Sequence, residues 1–378
     1  MPMKDLSRAG LAMLFGGLAA SATLPVLAAD MNLRGRFHLD AAVYDEDRVP
    51  LSNGFTNRRT RIGVSGSLND TWSGQIEYDF GENGVSANDV WLQRSFGPGS
   101  LRIGQFKVPM GLNELTSSNN MTFIERASNS NIVADSRRLG VGYDVSNGPM
   151  IFQTMVYGRS IGGRQDGDMP IGAAARFVMA PRIAGDALLH LGISAAYEDR
   201  QDYTTLRFRD RPEARPDGNR LIDTGNVTDV DSSFKVGLEF AVQKGPVSAE
   251  AEYLRVDVDS GSGSPTFDGF HVQGSYVLTG ESRGYRGGVF RGVTPSNPGR
   301  GAWEVAARYS SVDLIDGTFA GGEQNNVTIG LNYYATSNVR FMLNLIRVDV
   351  EDSNAMVGGV VVGDDSPNIL LLRAQFNF

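Results

Sequence analysis

The last nine residues of the chain, 370–378, constrain its fold most strongly, because apolar side chains alternate along them with mostly polar ones. Successive side chains of an extended strand point to opposite faces. One face is then apolar up to the terminal Phe378, and the other carries Leu371, Arg373, Gln375 and Asn377. A strand with one oily face, one mostly polar face and a final phenylalanine is typical of the strand that closes a barrel in a membrane.

The same period of two recurs along the chain, whereas helical periodicity is nearly absent. Clear examples begin at Trp72, Trp303 and Val327, and in each the second face is polar or small. Short turn signals alternate with long Gly- and Asp-rich connections, among which we count 282–299 and 314–323. We place the short turns at one end and the long connections at the other. The pattern predicts an all-β fold, a transmembrane antiparallel β-barrel of about 16 strands.

Residues 1–29 have the features of a secretory signal peptide. A basic start precedes an apolar run over 9–18, and cleavage fits after Ala28 or after Ala29. We therefore expect two regions, a signal peptide at 1–29 and a single barrel domain at 30–378. The chain contains no cysteine, which fits an exported protein. These features predict a multi-pass protein of the outer membrane of a Gram-negative bacterium.

The net charge of −8 argues against a surface built for polyanions, so nucleic acid is not an expected partner. Any attraction for anions must therefore be local. Arg58, Arg59 and Arg61 form one basic group at the start of a strand whose outward face is set by Ile62 and Val64. By parity Arg59 and Arg61 point into the lumen, and Arg58 joins them only if the strand is bulged.

Three guanidinium groups this close repel one another unless oxyanions or carboxylates lie between them. Arginine suits oxyanions because its planar fork donates two parallel hydrogen bonds. The alternative is a set of ordinary rim arginines that bind lipopolysaccharide phosphate or nearby acids.

A second basic group is more regular, since Arg207, Arg209 and Arg211 are spaced two residues apart and Arg215 follows. In an extended segment these arginines form a column with steps of about 6.6 Å. Such a column would lead anions from one site to the next. The alternative is a solvated loop whose arginines pair with interleaved acids such as Asp210.

The connection at 109–137 is too long for a hairpin, and long ordered loops usually have a function. It either folds into the lumen and narrows the channel or remains outside, and its length does not decide between the two. A third basic patch lies between Arg283 and Arg300, without an assigned role.

Ordered matches over most of the mature chain resemble the phosphate-selective porins O and P of the Gram-negative outer membrane. Among them are Gly35-Arg-Phe-His-Leu-Asp40, Ile103-Gly-Gln-Phe-Lys-Val-Pro109, Gly111-Leu-Asn-Glu-Leu-Thr-Ser-Ser118 and Gly330-Leu-Asn-Tyr-Tyr334. The resemblance implies a homotrimer of 16-stranded barrels, embedded in outer-membrane lipid and lipopolysaccharide. It also implies that the loop at 109–137 folds inward to form an anion-binding constriction.

Carried over to this sequence, the resemblance implies the following constriction residues: Arg58, Arg59, Asp89, Ser117, Ser118 and Arg126. Asp89 would accept a hydrogen bond from a protonated phosphate. The arginine ladder leading to the constriction would be Arg207, Arg209, Arg211 and Arg215. The solutes would be small anions such as phosphate, which pass without energy input.

One residue departs from the family pattern, because Glu114 occupies the place of a lysine in the phosphate-specific members. A carboxylate there opposes a dianion by like charge. We therefore expect a weaker or broader anion pore, and we expect Glu114→Lys to tighten block by phosphate and Arg59→Glu to weaken it. The alternative is a general or organic-solute porin without strong anion selectivity.

An alternative of another class is an outer-membrane barrel enzyme or a structural protein. None of the three histidines lies in a Gly-x-Ser-x-Gly or His-Glu-x-x-His motif. We accordingly predict that the protein is not an enzyme, and we assign no catalytic residue, cofactor or metal site.

Overall fold

Sixteen long antiparallel strands form a closed barrel, as predicted. The structure is a computed structural model that describes residues 30–82, 84–162 and 167–378, so the predicted signal peptide lies outside the described residues. The strands are β1 (Asp30–Asp45), β2 (Gly54–Ser67), β3 (Trp72–Asp79), β4 (Ser86–Phe96), β5 (Gly99–Lys107), β6 (Arg137–Asn147), β7 (Met150–Tyr157), β8 (Ile171–Met179), β9 (Ala187–Asp199), β10 (Val230–Lys244), β11 (Val247–Ser260), β12 (Thr266–Val277), β13 (Ala302–Asp316), β14 (Phe319–Tyr334), β15 (Val339–Val357) and β16 (Asn368–Asn377). The short segments Arg182–Ile183 and Val360–Asp365 extend the sheet by pairing with β9 and β15.

The first and last strands close the barrel. β1 and β16 pair from Arg36 opposite Asn377 to Asp45 opposite Asn368. Gly35 and Phe378 then exchange two backbone hydrogen bonds of 3.0 and 3.1 Å. A Cβ at Gly35 would lie 2.2 Å from the Phe378 ring, so only glycine leaves space for the terminal aromatic side chain.

The faces of the strands follow the period of two read from the sequence. On β16, Leu372 and Phe376 are exposed on the outside, whereas Arg373 and Gln375 are buried in the lumen. Exposed apolar side chains on the outside and buried polar ones on the inside are the arrangement expected of a barrel in lipid. No helix within the described part of the chain is long and apolar enough to cross a membrane.

Two connections differ from the prediction. Residues 314–323 are not a long loop, because β13 and β14 pair as far as Asp316 and Phe319 and leave a two-residue turn. The connection at 278–301, which contains 282–299, joins an even to an odd strand and therefore lies at the same end as the short turns. Our assignment of all long connections to one end was wrong, because strand alternation, not length, decides the end.

Candidate functional site

The connection between β5 and β6, residues 108–136, folds into the lumen and crosses it. The amide of Val108 donates to the carbonyl of Ser136 at 3.0 Å and closes its base. Two short helices interrupt it, α1 (Leu112–Leu115) and α2 (Ser128–Val133). α2 packs against β11, β12 and β13 on the far wall. The loop therefore narrows the lumen.

Three buried wall arginines hold this loop by its backbone. Arg308, Arg340 and Arg373 donate to loop carbonyls between residues 121 and 125, at 3.0, 2.7 and 2.5 Å. Charged donors make the stronger hydrogen bonds to carbonyls. Sequence reasoning did not single out these arginines, although each occupies an inward position of its strand.

A cavity of about 330 Å³ lies between the loop and the wall formed by β1 to β7. Among the described residues, nine cationic side chains line it, against the two carboxylates of Asp89 and Asp144. The cations are Arg34, Arg36, Arg59, Arg61, Arg102, Lys107, Arg126, Arg137 and Arg291. Thus an acidic protein contains a strongly positive chamber at its constriction.

Arg59 lines the cavity and has buried hydrogen-bond donors without a partner among the described residues. It is only 2% exposed, and its Nε and Nη1 have no hydrogen-bond partner among the described residues. The Glu125 carboxylate lies 3.5 Å from Nη1. A buried donor without a partner is destabilising. Because the Arg59 side chain lines the cavity, its positive charge attracts an oxyanion there.

Ser117 and Ser118, two of the predicted constriction residues, also line the cavity. Arg36, which sequence reasoning did not assign, donates to Ser118 Oγ at 2.9 Å and to Ser117 Oγ at 3.4 Å. A hydroxyl oxygen that accepts from a guanidinium keeps its own proton free to donate to a bound anion. Strand parity could have found Arg36, which precedes the inward His38 by two residues.

Arg58 lies at the edge of the site and does not line the cavity. The register of β1 and β2 shifts so that Arg58 has no partner residue on β1, which produces the bulge that its inward direction requires. Its Nε and Nη2 donate to the two carboxylate oxygens of Glu125 at 2.8 and 3.0 Å.

Glu125 is the acidic centre of this part of the loop. Arg373 lies 2.7 Å from its carboxylate and Arg215 3.9 Å. Burial alone would raise the pKa of Glu125, but the charges of Arg58, Arg59 and Arg373 outweigh burial and hold its pKa well below the usual range. The ionised Glu125 thus fixes the loop to the wall.

Two further acids near the constriction, Asp89 and Glu114, are also paired. Arg137 donates to both oxygens of Asp89, at 3.1 and 2.8 Å, so this carboxylate already has a partner. Glu114 does not line the cavity; its oxygens lie 2.9 Å from Arg126 and 3.3 Å from Lys107. Burial would raise the pKa of Glu114, but these two cations hold it below its ordinary value. Glu114 therefore acts on an anion by partly neutralising Arg126 and Lys107.

The predicted arginine ladder lies in the connection between β9 and β10. Side-chain exposure falls along it, from 43% at Arg207 and 38% at Arg209 to 21% at Arg215. Arg207 donates to both oxygens of Asp223 at 2.6 Å, so it is self-paired as the alternative proposed. Burial, followed by the nearby charge of Arg215, lowers the pKa of Arg211. Arg215, the least exposed of these three, lies 3.9 Å from Glu125.

Comparison with known proteins decides the family. A model of the family described as phosphate-selective porin O and P matches residues 31–378. The chain belongs to this family. It is an outer-membrane porin.

Curated relatives agree with this assignment. Porin O of Pseudomonas aeruginosa is 27% identical to this porin over 365 residues, which are 85% of this chain and 81% of that protein. An uncharacterized protein of Caulobacter vibrioides is 30% identical over 347 residues, 86% of this chain and 70% of that one.

Solved structures share the fold at lower identity. The anion-selective porin of Comamonas acidovorans has a TM-score of 0.58 at 13% identity, covering 93% of this chain and 100% of that one. The trimer form of OmpT of Vibrio cholerae has a TM-score of 0.60 at 12% identity, with coverages of 93% and 100%.

The third basic patch of the porin lies in the connection 278–301, which enters the lumen from the short-turn end. Arg291 lines the cavity, and Arg283 donates to the carbonyl of Asn120 at 2.9 Å. Phe290 is fully buried in a cluster with Leu112 of α1. Two connections from opposite ends therefore meet inside the barrel. In the sequence, only the cluster of arginines indicated that the connection 278–301 enters the lumen.

Proposed function

We propose that this porin is a passive, anion-preferring channel whose solutes include small oxyanions such as phosphate. The observation that carries the proposal is the buried guanidinium of Arg59, which lines a strongly cationic cavity with two nitrogens unpartnered among the described residues. The family description supports the same preference, and a structural neighbour from Comamonas is itself an anion-selective porin. Anions would approach along Arg209, Arg211 and Arg215, and pause near Arg59 and the hydroxyls of Ser117 and Ser118.

Strict phosphate specificity is not part of the proposal. Asp89, the expected acceptor for a protonated phosphate, is already engaged by Arg137 on both oxygens. Glu114 reduces the positive charge of Arg126 and Lys107. A site with these pairings is expected to accept several oxyanions with moderate affinity.

A general porin without strong anion selectivity is the second candidate. It is favoured by the number of cavity cations that already have carboxylate partners, such as Arg61 with Asp79 at 2.7 Å and Arg137 with Asp89 at 2.8 Å. A barrel enzyme has less support, since the family is one of porins. Purified protein that cleaved lipid or peptide without conducting ions would favour the enzyme.

The assembly that we propose is a homotrimer, on the example of the trimeric Vibrio protein. The exposed apolar side chains of the outer wall, such as Leu372, would contact outer-membrane lipid, and the rim would contact lipopolysaccharide.

Planar-bilayer recordings in a KCl gradient test the proposal. Wild-type protein should show a reversal potential of anion preference and block by added phosphate. Arg59→Glu should reduce the anion preference and weaken phosphate block by about tenfold or more, because a charged hydrogen bond contributes about 1.5–3 kcal/mol. Arg255→Gln is the matched control, because this exposed arginine forms a pair with Asp257 away from the cavity. Cation preference in the wild type would disprove anion selectivity, and an unchanged Arg59→Glu channel would remove Arg59 from the site.

A further inference from the structure

Part of the lining of the cationic cavity is apolar. Trp91 and Phe106 line it together with Pro109 and Leu115, beside the arginines already described. Trp91 is only half-buried. Aromatic side chains of a barrel usually lie at the lipid interfaces, as girdles on the outer wall. An inward tryptophan on a water-filled cavity therefore calls for a separate explanation.

The two rings are held in place by their surroundings. The guanidinium of Arg102 lies 4.8 Å from the centre of the Trp91 ring and 5.1 Å from that of Phe106. Gln93 fixes Arg102 in turn, accepting its hydrogen bonds at 2.7 and 3.0 Å. A Cβ at Gly142 would lie 2.9 Å from the Phe106 ring, so glycine at this position leaves the space that the ring occupies. The aromatic wall is thus an ordered part of the cavity.

An apolar surface in a cavity with an excess of cations matches a ligand that has an apolar and an anionic part. We propose that the cavity binds organic carboxylates that carry an aromatic ring, and this proposal rests on the anion-preferring channel proposed above. The carboxylate would accept from Arg59, and the ring would lie against Trp91 and the Arg102 guanidinium that lies over Trp91 and the buried Phe106. Burying the ring there removes apolar surface from water on both partners.

The size of the cavity allows such a ligand. Its volume is about 330 Å³. An engineered cavity of about 150 Å³ is enough to hold benzene. The volume of the cavity is therefore sufficient for a single-ring carboxylate.

Benzoate and acetate make a suitable pair of probes, because they carry the same carboxylate and differ in the ring. Block of single channels should be titrated in planar bilayers with benzoate, acetate and inorganic phosphate. Benzoate should block about tenfold more tightly than acetate, which corresponds to about 1.4 kcal/mol. Trp91→Ala should abolish that difference and leave phosphate block within about twofold.

Further variants separate the contributions of the two rings. Trp91→Phe keeps a ring and should retain most of the benzoate preference, and Phe106→Leu tests the second ring if Trp91→Ala fails to fold. Trp303→Leu is the matched control, because Trp303 stacks on Tyr333 away from the cavity. Equal block by benzoate and acetate, with phosphate block intact, would overturn this inference alone. Absence of block by all three anions would overturn the proposed anion channel itself.

Discussion

Removing the charge of Glu114 should make the porin bind phosphate more tightly. The cleanest change is Glu114→Gln, because glutamine keeps the shape and adds no cation next to Lys107. Arg126 should stay in place, since it also donates to the carbonyls of Asn113, Glu114 and Thr116 at 3.0, 3.1 and 3.0 Å. The variant therefore changes the charge of the site and not its geometry.

The size of the effect follows from the distance between charges. Glu114 lies 2.9 Å from Arg126, and an anion on the opposite side of that guanidinium would lie about 6–7 Å from the carboxylate. The repulsion per unit charge is then about 0.6 kcal/mol at a dielectric constant of 80 and about 2.6 kcal/mol at 20. Its removal should tighten block by a monoanionic phosphate by about 3- to 80-fold, with about tenfold as the central value.

Titration of phosphate block in planar bilayers at about 0.1 M KCl measures this change. Repeating the titration at about 1 M KCl should shrink the difference, because the Debye length falls from about 10 Å to about 3 Å. Glu323→Gln is the matched control; this residue lies on β14, alternates with buried lumen residues and does not line the cavity. A Glu114→Gln channel with wild-type conductance and unchanged or weaker phosphate block would refute the electrostatic reasoning.

Three further predictions follow from buried contacts. Asp40→Asn should lower the free energy of unfolding by about 3–5 kcal/mol in urea titrations, because Arg373 donates to both Asp40 oxygens at 2.6 Å with both side chains fully buried. Burial raises the pKa of Asp210 to about 6. As the pH falls from 7 to 5 this carboxyl takes up a proton, which relieves the cost of its buried charge. Anion conductance at low salt should then rise in the wild type but not in Asp210→Asn. Phe290→Ala should destabilise the barrel by about 3–5 kcal/mol and increase single-channel conductance, because the connection 278–301 loses its buried anchor.

The wall of the barrel could be predicted from the sequence because the alternation of apolar and polar residues is a property of each strand by itself. Alternation alone placed Arg373 inside and Phe376 outside, and it required a bulge for Arg58 to face inward. A lipid-facing and a lumen-facing surface differ in polarity at every second residue, so the signal repeats along each strand. The strand number followed from the same signal.

The ion pairs inside the lumen could not be predicted from this alternation. Whether Glu114 faces an anion or Arg126 depends on the path of an inward loop, and period-two patterns carry no information about loops. Arg58, a predicted constriction residue, pairs with Glu125 of the loop. In both cases the partner is a charge of opposite sign on the inward loop, 12 residues away for Glu114 and 67 for Arg58.

The lining of the cavity comes both from strands, whose inward positions the sequence predicts, and from loops, whose paths it does not predict. Arg34, Arg59 and Arg137 come from β1, β2 and β6, and closure of the barrel brings their inward positions to one chamber. Arg291 reaches the same chamber from the connection 278–301, which sequence length had placed at the wrong end. Strand alternation fixes the end of every connection once the strands are counted, so length is the weaker guide. The chamber is cationic because the described residues that line it include only two acids, Asp89 of β4 and Asp144 of β6, and each is paired with an arginine of the same wall. Its selectivity should therefore respond more to changes in acids such as Glu114 than to the loss of any single paired arginine.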